Sequence, residues 1–166
     1  IPTLIGYFSN LALYKDKDRG IKIEYPKGWE AIELANPRGD IAKFVSPSEG
    51  DLDVFQEKIM ITIEPLNPPG TSLDSYTQET IKQISQELTT DTLPHKGNPT
   101  QLANLEAREV SYRQNRQRDE GKNLKKLQVW TVYNNKVYIL TYEAEEGQYD
   151  KYEKTARQTI ESFKIE

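Results

Sequence analysis

The last forty residues constrain the fold more than any other stretch. They run LQVWTVY, Asn134-Asn135, KVYILTYEAEE and then QYDKYEKTARQTIESFKI. Two segments rich in β-branched and aromatic residues, separated by only two residues, predict an antiparallel hairpin. Asparagine tolerates the positive φ that such a turn requires, although glycine at its second place would be better. The turn fixes the register: Tyr133 with Lys136, Thr131 with Tyr138, Val129 with Leu140 and Leu127 with Tyr142 on one face, Val132 with Val137 and Trp130 with Ile139 on the other. Both strands read as apolar on both faces, which predicts a central position in a sheet with a layer packed on each side. Tyr149, Tyr152, Ala156, Ile160 and Phe163 then recur at three-and-four spacing, predicting a closing amphipathic helix over 148–163.

Upstream, Ile21, Ile23 and Tyr25 alternate with Lys22 and Glu24, the period of a half-buried strand that Pro26 and Gly28 end. A second strand follows Trp29 through Leu34, and IAKFVSP over 41–47 makes a third. Their short connections predict an antiparallel meander of these three. A fourth strand, 58–66, places Ile59, Ile61 and Ile63 on one face and Met60 and Thr62 on the other. Leu73, Tyr76, Ile81, Ile84 and Leu88 form one stripe of a helix over 73–88, with Thr71 or Ser72 as cap. A fifth strand is expected from Leu105 to Tyr112, and the hairpin supplies strands six and seven. The expected fold class is α+β: an α/β/α sandwich whose mainly antiparallel sheet of six to seven strands carries helices on both faces. Residues 1–17 read as an N-terminal tether or edge segment and 18–166 as one domain. The chain begins at Ile1 and not at methionine, which reads as a processed or N-terminally truncated form.

Composition narrows the chemistry. With no cysteine there is no disulfide, thiolate nucleophile or zinc-thiolate site. A net charge of −4 argues against general nucleic-acid affinity, and no run approaches the roughly 20 apolar residues that span a bilayer. His95, the only histidine, sits in a Pro/Gly loop with no G-x-S-x-G elbow anywhere in the chain, so it reads as an exposed loop residue before a catalytic base. Glu49, Asp51, Asp53 and Glu57 alternate as calcium-loop acids do, but glycine at the sixth position and an acid at the twelfth are missing. A solvated acidic loop is the expectation, with His95, Asp51 and Asp53 as candidates for a surface divalent metal and no cofactor otherwise. The cations Arg113, Arg116, Arg118, Lys122, Lys125 and Lys126 cluster around Asp119 and Glu120 on an otherwise acidic chain. They are the candidate contact for an acidic protein partner. No Walker motif, glycine-rich phosphate loop or nucleophile arrangement is present, so the reading is a non-enzymatic, monomeric binding domain.

Two stretches carry a family resemblance. Gly20-Ile21-Lys22-Ile23-Glu24-Tyr25-Pro26-Lys27-Gly28-Trp29 resembles the "G-hydrophobic…YP-x-x-W" opening of PsbP-like domains, and the strand VYILTYEAEE followed by a helix ending Ile160-Glu161-Ser162-Phe163 resembles their close. The likeness covers 18–166 and implies the α/β/α sandwich. Members of the family include the extrinsic lumenal subunit of photosystem II, part of the oxygen-evolving complex, and its cyanobacterial and chloroplast relatives. The same fold occurs in Ran-binding nuclear transport factors and bacterial envelope proteins, and similar domains are appended to cyanobacterial serine/threonine kinases. The resemblance implies a cyanobacterial-type accessory domain acting through contacts with a protein, such as a membrane complex, in the periplasm or thylakoid lumen. Its alternatives are the regulatory domain of a membrane-anchored kinase and an envelope protein binding a small ligand or metal. The sequence lacks the photosystem subunit's histidine-rich positions, and no ligand residue is carried over.

Overall fold

Ten strands and two helices are present in the residues that the computed structural model describes, 10–48, 50, 55–88, 91–115 and 121–166. In order they are β1 Leu11–Asp16, β2 Ile21–Pro26, β3 Glu30–Glu33, β4 Asp40–Val45, β5 Lys58–Pro65, α1 Leu73–Gln86, β6 Asn98–Leu102, β7 Leu105–Gln114, β8 Leu124–Tyr133, β9 Lys136–Glu145, α2 Tyr149–Glu161 and β10 Lys164–Ile165. Seven strands make one antiparallel sheet, ordered β3-β4-β5-β9-β8-β7-β6, and β1-β2-β10 make a second, smaller one. The protein is α+β, with a helix on either face of the larger sheet.

The C-terminal hairpin has the expected register at all ten pairs from Leu124–Glu145 to Tyr133–Lys136. Asn134 and Asn135 have φ of 51° and 59°, the left-handed pair that a two-residue turn needs. The backbone carbonyl of Asn135 accepts from the Leu66 N–H (2.9 Å), and its side-chain Oδ1, which glycine would lack, accepts from the Gly70 N–H (2.9 Å), tying the β5–α1 loop to the turn.

Alternation divides the hairpin between two cores. On the first face Leu127, Val129, Tyr138, Leu140, Tyr142 and Ala144 meet Tyr149, Ala156, Ile160 and Phe163 from α2 and its end, together with Ile21 and Ile23 of β2. On the second, Trp130 and Val137 join Val110, Tyr112, Leu66 and Ile81 of α1. Each fully buried aliphatic or aromatic side chain stabilises the fold by about 1.5–3 kcal/mol. Thr77 of α1 lies on the apolar stripe between Leu73 and Ile81 and is fully buried, and its Oγ1 accepts from the Trp130 indole N–H at 2.9 Å. Ser72 caps α1, accepting from the Ser75 N–H at 3.1 Å.

Three sequence expectations change. The meander of the first three strands does not form: β2 pairs with β1 and β10 in the small sheet, while β3 continues into β4. Pro26 and Gly28, which is at φ 97°, break the chain between the sheets. A strand, β6, precedes the expected fifth one, joined to it by a tight turn with Ala103 at φ 53° and Asn104 at 62°. Of the two readings of residues 1–17, edge strand describes Leu11–Asp16, so the boundary at 18 falls inside the β1–β2 hairpin. Residues 1–9 lie outside the described residues. The Ser162-Phe163 close has a physical reason: Phe163 is buried, and Ser162 Oγ accepts from the Glu24 N–H (2.8 Å) and donates to the Thr159 carbonyl (2.6 Å), fastening the end of α2 to β2.

Candidate functional site

Antiparallel register stacks the second-face side chains of neighbouring strands into rows. One row runs Lys58, Glu143, Lys126 and Tyr112 across β5, β9, β8 and β7. The next runs Lys43, Met60, Thr141, Gln128 and Val110 from β4 to β7, and a third Asp40, Thr62, Ile139 and Trp130 from β4 to β8. Helix α1 packs on the Trp130, Val110 and Val137 side. The other half, over β4, β5 and β9, is an open groove of about 470 Å³ walled by Leu34, Asn36 and Arg38 of the β3–β4 connection. Gly39 makes that wall possible: it sits at φ 86° where a Cβ would run into the Ile63 carbonyl, and its own carbonyl accepts from the Ile63 N–H at 3.0 Å.

The groove is charged in a directed way. At one end Glu143 is shared by Lys126 (3.3 Å) and Lys58 (3.6 Å), while Lys43 makes no ion pair among the described residues. At the other, Asp40 accepts from the Thr62 hydroxyl (2.8 Å) and the Asn36 amide (2.9 Å). Burial, aided by the nearby Asp40 charge, raises the Glu64 carboxyl above the usual range. Between them Tyr112 donates to Gln128 Oε1 (3.0 Å) and the Gln128 amide donates to Thr141 (3.3 Å). Burial, then the charges of Glu143 and Glu87, pushes the Tyr112 phenol up to about 12. Most polar groups here are matched across neighbouring strands, an arrangement suited to contact more than to proton transfer.

The described members of the basic cluster point in different directions. Arg113 is held by Asp91 (2.8 Å) and Glu146 (3.4 Å). Lys125 and Lys126 point to opposite faces: Lys125 lies over the Tyr149 ring at 4.4 Å on the α2 side, and Lys126 lines the groove. Lys122 is exposed and engaged within the chain. Arg116 and Arg118 lie outside the described residues, as do Glu49, Asp51 and Asp53. Glu57 is no calcium-loop acid. It is buried, accepts from the Ser46 hydroxyl at 2.6 Å and closes the base of that loop. His95 is exposed on the rim of a groove of about 740 Å³ floored by Ile81 and Leu93 beside α1. Among the described residues, no three His, Asp or Glu side chains are grouped to hold a metal.

Sequence reading misses the groove because Lys126, Gln128, Thr141 and Glu143 lie in hairpin strands read as apolar on both faces, and Lys58 opens a strand read from its isoleucines. The signal was there, in alternate polar residues confined to one end of β5, β8 and β9.

Similar structures share the fold at low identity. The solution structure of cyanobacterial PsbP (CyanoP) from Synechocystis sp. PCC 6803 matches with a TM-score of 0.52 and 14% identity over 95% of this chain and 93% of that one. The Ran-binding protein Mog1p of Saccharomyces cerevisiae gives 0.57 and 9% over 94% and 95%. A Bacteroides thetaiotaomicron protein gives 0.56 and 11% over 95% of this chain, which spans 49% of that longer one. No curated protein sequence matches. The model of the PsbP family matches residues 9–165, nearly the whole chain, and the protein belongs to that family.

Proposed function

We propose that this chain is a non-enzymatic PsbP-like accessory domain that acts through contacts with a protein partner. The observation that carries the reading is the open half of the sheet's second face, a cross-strand array of matched polar groups bordered by the stem of the basic loop. Such an array offers a shaped and charged surface without a nucleophile and base converging on a cavity. The Ran-binding character of the Saccharomyces protein supports protein contact as the mode for this fold. The likeness to cyanobacterial PsbP supports the finer reading, an extrinsic protein of photosystem II type working outside the cytoplasm. Among the described residues no helix is long and apolar enough to cross a membrane.

We assign the partner contact to the basic stretch, with Arg116, Arg118 and Lys122 in its middle and Lys126 lining the groove at its stem. Immobilised protein should recover a membrane complex from detergent-solubilised thylakoids, and R116Q/R118Q/K122Q should reduce that recovery by about tenfold at low salt. Recovery unchanged by the triple variant would remove the loop from the interface. Failure to recover any photosystem component would remove the photosystem reading.

A further inference from the structure

The groove's shape and charge say what kind of partner segment it takes, an inference that rests on the protein-binding reading above. We infer that the open half of the second face binds an amphipathic helix of the partner, with its acidic end over Lys43, Lys58 and Lys126 and its apolar residues on Met60 and Ile139.

Width is the first argument. The sheet's other face is covered by α2 and the small sheet, and half of this face by α1. The strip left open runs from β4 to β8, four strands or about 14 Å across at strand spacing, and one helix is about 10–12 Å wide. A helix laid there would extend the layer that α1 begins.

Charge is the second argument. Three lysines face a single carboxylate at this end of the groove: Lys58 and Lys126 share Glu143, and Lys43 makes no ion pair among the described residues. A chain of net charge −4 repels acidic segments over much of its surface, so this lysine end localises one. Met60 and Ile139, half-buried between the charged ends, offer apolar contact, and a methionine adapts its shape to the side chain it meets.

The test uses two synthetic helical peptides of about twenty residues with leucines at three-and-four spacing. One carries glutamates in its last two turns, and the other carries lysine at each of those positions. Titrated into the 15N-labelled chain, the acidic peptide should shift amides of β4, β5 and β9, and the basic peptide should not. Lys43→Glu, which breaks no ion pair among the described residues, should weaken the acidic peptide about tenfold, and Lys43→Gln less. Met60→Lys should abolish binding, with circular dichroism confirming that each variant is folded. The inference is overturned by no shift at millimolar peptide, by equal binding of the basic peptide, or by full binding to K43E. Lysine-43-dependent sedimentation with phosphatidylglycerol vesicles in place of peptide binding would assign the groove to a membrane and overturn it too. Dimerisation abolished by M60K would do the same in favour of a second copy. Membrane-complex recovery lost with the loop variant but kept with K43E would leave the protein-binding reading standing without this groove.

Discussion

The two faces of the central sheet are made by the same strands and end in different states. Along β9, Tyr138, Leu140, Tyr142 and Ala144 on the first face are each no more than 4% exposed under α2 and β2. On the second face Val137 is buried under α1, Ile139 packs at the edge of that core, and Ile139, Thr141 and Glu143 line a polar groove. One face is committed to stability. The other is divided, half sealed by α1 and half closed by hydrogen bonds and ion pairs that still face solvent. Side chains one residue apart should therefore respond differently to the same change.

The largest difference is expected between Leu140→Ala and Ile139→Ala. Leu140 is fully buried, and its truncation opens a cavity costing about 2–5 kcal/mol. Ile139 is only half-buried, at the edge of the α1 core where it lines the groove, so the same truncation should cost less, about 1 kcal/mol. Urea unfolding of both variants measures the gap, and equal losses would erase the distinction between the faces. Next in size is Thr77→Val, which keeps the shape beneath α1 but leaves the buried Trp130 N–H without its 2.9 Å acceptor, a loss of about 1–3 kcal/mol. A loss under about 0.5 kcal/mol would mean that water reaches the indole and that the α1 half is not sealed.

Titration probes the border between sealed and open halves. Tyr112 has a folded pKa of about 12 against an ordinary value of 10.0. Its neutral form is favoured by folding, so its contribution is complete below pH 10 and is lost as pH rises towards 12 while the unfolded chain ionises. Tyr142 and Tyr149 are raised too, chiefly by burial, and push the same way, so the wild type alone cannot isolate one phenol. Tyr112→Phe can. Between pH 9 and 11 it should lose about 1 kcal/mol less stability than the wild type, read as the difference in urea midpoints. Parallel pH profiles would place the phenol in water and move the border of the groove past β7.

Legibility in the sequence followed the same division. The hairpin register was readable because a two-residue turn leaves one pairing, and the first face because Leu127, Val129, Tyr138, Leu140 and Tyr142 fall on it in that register. Thr77 was not, since its place between Leu73 and Ile81 predicts burial but not the acceptor role towards a tryptophan 53 residues away. The small sheet was hidden because β10 is only two residues long and pairs with Ile21 and Lys22 near the other end of the chain. The groove was partly legible: Met60 and Thr62 were assigned to the opposite face from Ile59 and Ile61. That this face lacks a full cover depends on where α1 lands, which strand periodicity does not state. The basic run needed the fold to be read further, since a run of cations in sequence says nothing of which face each takes in a strand.

That last point yields the smallest and sharpest comparison. Lys125 and Lys126 are adjacent, equally charged and part of the same basic stretch, yet one sits over the Tyr149 ring and the other pairs with Glu143 in the groove. Lys125→Gln should cost about 0.5–1 kcal/mol from the lost cation–π contact, and Lys126→Gln about as little from its partly exposed pair. Stability will hardly separate them. Binding should, because only Lys126 faces the acidic helical peptide. Its variant should bind several-fold more weakly, while K125Q binds as the wild type does. If both variants weaken binding equally, long-range charge governs the contact and the face is irrelevant. Raising the salt to shorten the screening length below about 10 Å would then abolish both effects together, whereas a direct Lys126 contact would persist in part.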